Sequence, residues 1–136
     1  TLSDAMLEQL TRDLPALAER IAAAHGCTVD ARLSPQYPVT VNDAERTAET
    51  TEVLGALFGA ERVQHLANPL MGAEDFSMVL REVPGAFTMV GARPDDVTAA
   101  EAPSNHSSIV RFDDAVLADN AAALAQLAAR HLTPQG

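Results

Sequence analysis

The chain has no lysine and no tryptophan, and only one cysteine and one tyrosine in 136 residues. All nine of its basic residues are arginines, set against 19 acidic ones for a net charge of −10. A field of that sign repels phosphate backbones and anionic surfaces, which excludes nucleic-acid binding and polybasic membrane attachment. The single thiol, Cys27, excludes an intrachain disulfide framework and a cysteine-rich zinc module, and it fits a reducing compartment. No apolar run approaches the roughly 18 residues of a membrane span. The opening Thr1-Leu2-Ser3-Asp4 shows no initiator methionine, basic patch or apolar signal core. These absences give a cytoplasmic address and a piece of a longer chain as expectations.

What is present is ordinary for a folded domain. The chain is 47% hydrophobic and 21% charged, with mean hydropathy at zero. A domain of this length buries roughly two thirds of its unfolded surface without help from disulfides. The hydrophobic pattern predicts helices alternating with strands. Ser3 caps a helix that runs to about His25 and stops at Gly26, with Leu7, Leu10, Leu14, Leu17 and Ile21 as its apolar stripe. Pro15 inside that stripe predicts a kink or a restart.

Cys27, Val29, Ala31 and Leu33 alternate with polar residues, the signature of a half-buried strand. Asn42-Asp43-Ala44-Glu45 opens a second helix that ends at Phe58 before Gly59. A short strand is expected at 62–66, a short helix at 73–82, and an apolar strand buried on both faces at 86–90. A polar loop, 91–105, leads toward a last helix over about 113–132, its inner face formed by Val116, Leu117, Leu124 and Leu127. The Pro35–Thr40 stretch is the best boundary between two regions.

Few side chains here can do chemistry. His25 beside a helix-ending glycine, His65 in a short strand and His131 in a last helical turn each have a structural explanation. His106 differs, because it lies in Pro103-Ser104-Asn105-His106-Ser107-Ser108, a small polar loop of the kind that carries binding residues. Imidazole is the commonest protein metal ligand. Yet no HExxH, no HxH and no second histidine accompany His106, and a structural role stays open on these grounds. Glu74-Asp75 at a helix start fits capping, and adjacent acids on a helix diverge, so they form no glycosidase pair. No nucleophile elbow, P-loop or dinucleotide fingerprint is present. Cys27 reads as a core thiol.

Three ordered stretches carry a family resemblance. They are Tyr37-Pro38-Val39-Thr40-Val41-Asn42-Asp43; Met71-Gly72-Ala73-Glu74-Asp75-Phe76 with Val83-Pro84-Gly85-Ala86-Phe87-Thr88-Met89-Val90-Gly91; and Asn105-His106-Ser107-Ser108 with Phe112-Asp113-Asp114. In order and spacing the set resembles the C-terminal part of the dinuclear metallohydrolases that include aminoacylase, carboxypeptidase G, hippurate hydrolase and auxin-conjugate hydrolases, in their amidohydrolase branch. Ser108 stands where that family usually has proline, and Arg111 where an acidic residue is common.

The resemblance implies an α/β fold. Residues 41–136 would be the C-terminal portion of a metallopeptidase-type catalytic domain, helices packed on a mixed sheet. Residues 1–40 would supply the last helix and strand of an α+β lid that also pairs protomers into a homodimer. His106 would inherit the role of metal ligand, with Asp75, Met89, Gly91 and Asn105 lining the substrate cleft. The full-length protein would hold two divalent metal ions (zinc, cobalt or manganese), and the isolated chain none. Its substrates would be N-acyl amino acids or related small amides, hydrolysed by a metal-activated water with a glutamate moving the proton.

The family's other metal ligands and its general base lie in an N-terminal portion that nothing here matches. The chain is therefore expected to be a fragment, inactive alone and prone to self-association. Two rival classes are a non-enzymatic acidic interaction module that reuses the scaffold, and a serine hydrolase using His106 with Ser104 or Ser107.

Overall fold

Helix is the sole regular structure in the computed structural model, which describes residues 1–133. In chain order come α1 (Asp4–Ala24), α2 (Ala44–Phe58), a 3-10 turn (Ala60–Arg62), α3 (Phe76–Glu82) and α4 (Val116–Leu132). Among the described residues there is no strand, which corrects the expected α/β architecture. No mixed sheet underlies the helices, and no strand follows α1. The physical reason is that alternation only assigns side chains to faces. A strand exists through ladder bonds to a second strand, and 27–34, 62–66 and 86–90 form no ladder. Cys27, Val29 and Leu33 are exposed, so the expected core thiol is also corrected. In the 86–90 segment only Ala86 and Phe87 are half-buried, while Met89 and Val90 face solvent.

Two compact units are interleaved along the sequence. The first comprises Thr1–Arg46 with His65–Ala86, and the second comprises Thr47–Gln64 with Phe87 onward. The dividing line passes through α2.

In the first unit, Ser3 Oγ accepts the Met6 N–H at 3.1 Å and sets the start of α1. The helix continues through Pro15 as one element, so there is no restart there. It closes at His25, whose N–H donates to the Ala22 carbonyl at 3.0 Å, followed by Gly26 at φ +68°, whose N–H donates to the Ala23 carbonyl at 3.0 Å. Leu7 and Leu10 are half-buried, whereas Leu14, Leu17 and Ile21 point outward. α3 begins three residues later than the sequence suggests, because Glu74 Oε1 accepts the Phe76 N–H at 3.1 Å ahead of the helix. After α3, Pro84-Gly85 turns the chain, and the Gly85 carbonyl accepts the Asp43 N–H at 2.9 Å. A Cβ at Gly85 would lie 3.0 Å from Leu80 Cδ2, so the turn packs tightly against α3.

The cap of α2 matches its sequence signature. Asp43 Oδ1 accepts the Arg46 N–H at 2.9 Å, and Gly59 at φ +102° ends the helix. In the second unit Val53 of α2 is 5% exposed and Ala123 of α4 is 7% exposed. Two ion pairs tie α4 to this part of the unit: Arg130 to Glu52 at 3.2 Å and Arg62 to Asp119 at 3.5 Å. The Arg62 guanidinium also lies 5.5 Å from the Phe58 ring centroid, a cation–π distance. The inner face of α4 differs from the expected one. Val116 and Leu127 are half-buried around Ala123, but Leu117 and Leu124 are each 63% exposed.

Candidate functional site

The loop that carries His106 is built from turns. Ser107 N–H donates to the Ser104 carbonyl at 2.8 Å, and Val110 N–H to the Ser107 carbonyl at 3.2 Å. Serine hydroxyls brace both turns, Ser104 Oγ accepting from His106 N–H at 3.4 Å and Ser107 Oγ from Ile109 N–H at 3.3 Å. Short hydroxyl side chains take such backbone bonds readily, which accounts for the serine density here. Both hydroxyls thus act as turn formers, and neither bonds to the His106 ring.

A second set of contacts closes the loop at its base. Asp113 N–H donates to the Ala92 carbonyl at 2.9 Å. Arg111 Nη2 lies 2.6 Å from both carboxylate oxygens of Asp96. The hydrogen bond from Arg111, with its charge, holds the Asp96 carboxyl below its ordinary range and raises the Arg111 guanidinium in turn. Inside the loop, Thr98 Oγ1 bonds Glu101 at 2.7 Å, and the Arg93 guanidinium donates to the Val97 carbonyl. At the far end Asp113 Oδ1 accepts the Ala115 N–H at 2.9 Å, which delays α4 to Val116 rather than Asp113.

His106 and Asn105 share one turn of this loop, and both are exposed. Met89 (66% exposed) and Gly91 immediately precede the Ala92 carbonyl at the loop base. Those four residues belong to the second unit, whereas Asp75 lies in the first, exposed at the start of α3. Asp75 makes no side-chain capping bond; the neighbouring Glu74 does. His25 ends α1 and His131 lies in the last turn of α4, as their structural readings require, while His65 lies in an exposed segment outside any strand. The Arg111–Asp96 closure escaped the sequence reading. Its one available signal was a lone arginine set between acidic pairs.

Among the described residues no three histidine, cysteine, aspartate or glutamate side chains converge as a metal site. A dinuclear centre needs several ligands around two ions. The residues present therefore do not fit a complete centre, and His106 alone does not make one. No described helix is long and apolar enough to cross a membrane.

Comparison with known proteins decides the family. The model of peptidase family M20/M25/M40 matches residues 4–130. The chain belongs to that family. It is 33% identical over 128 residues to the IAA-amino acid hydrolase ILR1-like 2 of Arabidopsis thaliana, covering 91% of this chain and 28% of that protein. It is 32% identical over 113 residues to thermostable carboxypeptidase 2 of Saccharolobus solfataricus, covering 82% of this chain and 27% of that protein. It is also 32% identical over 88 residues to the putative amidohydrolase YhaA of Bacillus subtilis, covering 63% of this chain and 22% of that protein. These names fit the amidohydrolase branch. The chain spans between about a fifth and little more than a quarter of the length of the curated relatives it matches. No solved structure matches it significantly.

Proposed function

We propose that this M20 chain is one portion of a metal-dependent amidohydrolase that cleaves the amide bond of N-acyl amino acids or related small amides. The observation that carries the reading is the shared chemistry of the relatives' names. An amino acid conjugate hydrolase, a carboxypeptidase and an amidohydrolase all break an amide or peptide bond. This chain's contribution would be His106, presented to solvent on a loop closed at its base, as one ligand of a centre of two divalent ions (zinc, cobalt or manganese). The remaining ligands and the proton-transferring group would come from outside these residues. Asn105, Met89 and Gly91, which belong to the same unit as His106, would form cleft wall. An exposed imidazole suits this role, since a ligand's ring must be open to the ion it meets.

Homodimer formation belongs to the same reading. The outward Leu14, Leu17 and Ile21 of α1 form a stripe whose burial against a second copy would stabilise the pair.

The test uses the protein at its natural length, with metal content and hydrolysis of N-acyl amino acids measured together. The expected result is about two ions per subunit and activity that His106→Ala lowers at least a thousandfold, with loss of metal. Full metal content and undiminished turnover in that variant would sink the assignment. A second reading, an acidic interaction module on the same scaffold, draws on the absence of three converging ligands among the described residues. It requires a metal-free natural protein with a stoichiometric protein partner.

A further inference from the structure

His106 is carried by a stretch with no helix or strand of its own, since residues 91–115 form only turns and irregular chain. Holding such a stretch in one place costs backbone entropy, which the separate bonds that tie it down must offset. The leg from His106 back to the base is tied at nearly every step. Ser107 N–H donates to the Ser104 carbonyl and Val110 N–H to the Ser107 carbonyl, so linked turns cover 104–110. Arg111 follows directly, bonded to Asp96 on the opposite leg, and Asp113 N–H then reaches the Ala92 carbonyl. Ser107, Val110 and Asp113 are half-buried and the residues between them exposed, so the leg is seated at every third residue. His106 thus stands at one end of a braced run whose other end is held by Arg111.

The two crossings between the legs act differently. Asp113–Ala92 closes the loop at its base. Arg111–Asp96 lies nearer His106 along the chain and fixes how the legs lie beside one another beyond that base. Without it the loop stays closed, but the legs are free to swing about the remaining bond. An exposed pair contributes little to global stability, so the work of this one is to place the leg.

We propose that Arg111 is a positioning residue for His106: paired with Asp96, it fixes where the loop presents the imidazole. The proposal rests on the reading of His106 as a metal ligand of an amidohydrolase, and it adds two residues that act only through the loop. A displacement of about 1 Å at a working residue can cost about a hundredfold in rate.

The test is a double-mutant cycle in the natural-length protein, reading zinc affinity by chelator competition beside kcat, KM and melting temperature. Arg111→Ala and Asp96→Ala should each weaken zinc binding, and lower kcat in saturating zinc, by about tenfold, with KM changed less than about twofold. The double variant should lose no more than either single one, because the partners act as one pair. Exchanging the ends, Arg111→Asp with Asp96→Arg, should restore part of the loss. All four proteins should melt within about 2 °C of the parent.

His106→Ala separates the two readings. If it loses zinc while the pair variants keep parental affinity and kcat, positioning by Arg111 is overturned and the ligand reading stands. If it keeps zinc and turnover, the ligand reading falls and the proposal falls with it. Additive losses in the double variant, or a fall in melting temperature that tracks the loss of zinc, also overturn the proposal. The first would mark two independent residues, and the second a defect of the fold.

Discussion

Arg111 and Asp96 stand fifteen positions apart, and one guanidinium nitrogen of Arg111 lies 2.6 Å from both oxygens of the Asp96 carboxylate. Everything between them, including His106, forms one closed excursion of the chain. A second closure, from Asp113 N–H to the Ala92 carbonyl, lies just outside the first. Both partners are well exposed, so salt screens the pair and its effect on global stability is small.

The consequence is local, and it depends on pH. The hydrogen bond from Arg111 and its charge lower the Asp96 pKa, so the pair's contribution is complete above the ordinary aspartate range and disappears as pH falls through the depressed value. The raised pKa of Arg111 acts in the opposite sense, complete below the guanidinium range and lost only at extreme alkaline pH. Protection factors of the amides over residues 97–110, which are exchange rates corrected for their intrinsic pH dependence, should therefore stay constant from pH 7 to about 4 and fall below it. Asp96→Asn should remove that acid limb without shifting the melting temperature measurably. An unchanged acid limb in the variant would assign it to other carboxylates.

Core substitutions should separate the two faces of the second unit. Val53→Ala should destabilise the chain by about 2 kcal/mol, because a buried valine loses its transfer energy. Leu124→Ala, at a mostly exposed position, should change stability by about 0.5 kcal/mol or less. Urea midpoints at constant slope read both values.

Gly59 holds the backbone at φ +102°, a conformation that L side chains rarely adopt. Gly59→Ala should cost at least about 1 kcal/mol through backbone strain, and thermal unfolding checks it. A built Cβ there would also press on the Glu61 carboxylate, the movable end of a side chain, so the backbone term dominates.

Self-association should depend on α1. Sedimentation of the chain at increasing concentration should show dimers or larger species, and Leu17→Glu with Ile21→Glu should return it to monomer. The variant should keep its helical circular dichroism, because both positions face outward and glutamate is a good helix former.

Helix ends were the most legible feature of the sequence, because their signals are local. Ser3 and Gly26 bracket α1, and Asp43 and Gly59 bracket α2, each through a short-range bond or a positive φ. The late starts of α3 and α4 were missed because Glu74 and Asp113 bond the backbone ahead of the helix rather than inside it. Strands were misread for a different reason, since alternation at Cys27–Leu33 carries no information about a pairing partner. The His106 loop was recognisable from its polar residues and motif order. The Arg111–Asp96 closure arises from tertiary placement, which no local pattern encodes.

The arrangement of α4 has one more consequence. At 3.6 residues per turn, Leu117 and Leu124 lie about 100° around the axis from Val116, Ala123 and Leu127. Asn120 and His131 lie between the two sets, about 40° and 60° from Val116, so the leucine side is a separate nonpolar strip that continues through Ala121 and Ala128. Leu117 and Leu124 are thus nonpolar side chains on a strip of α4 that its own unit leaves uncovered.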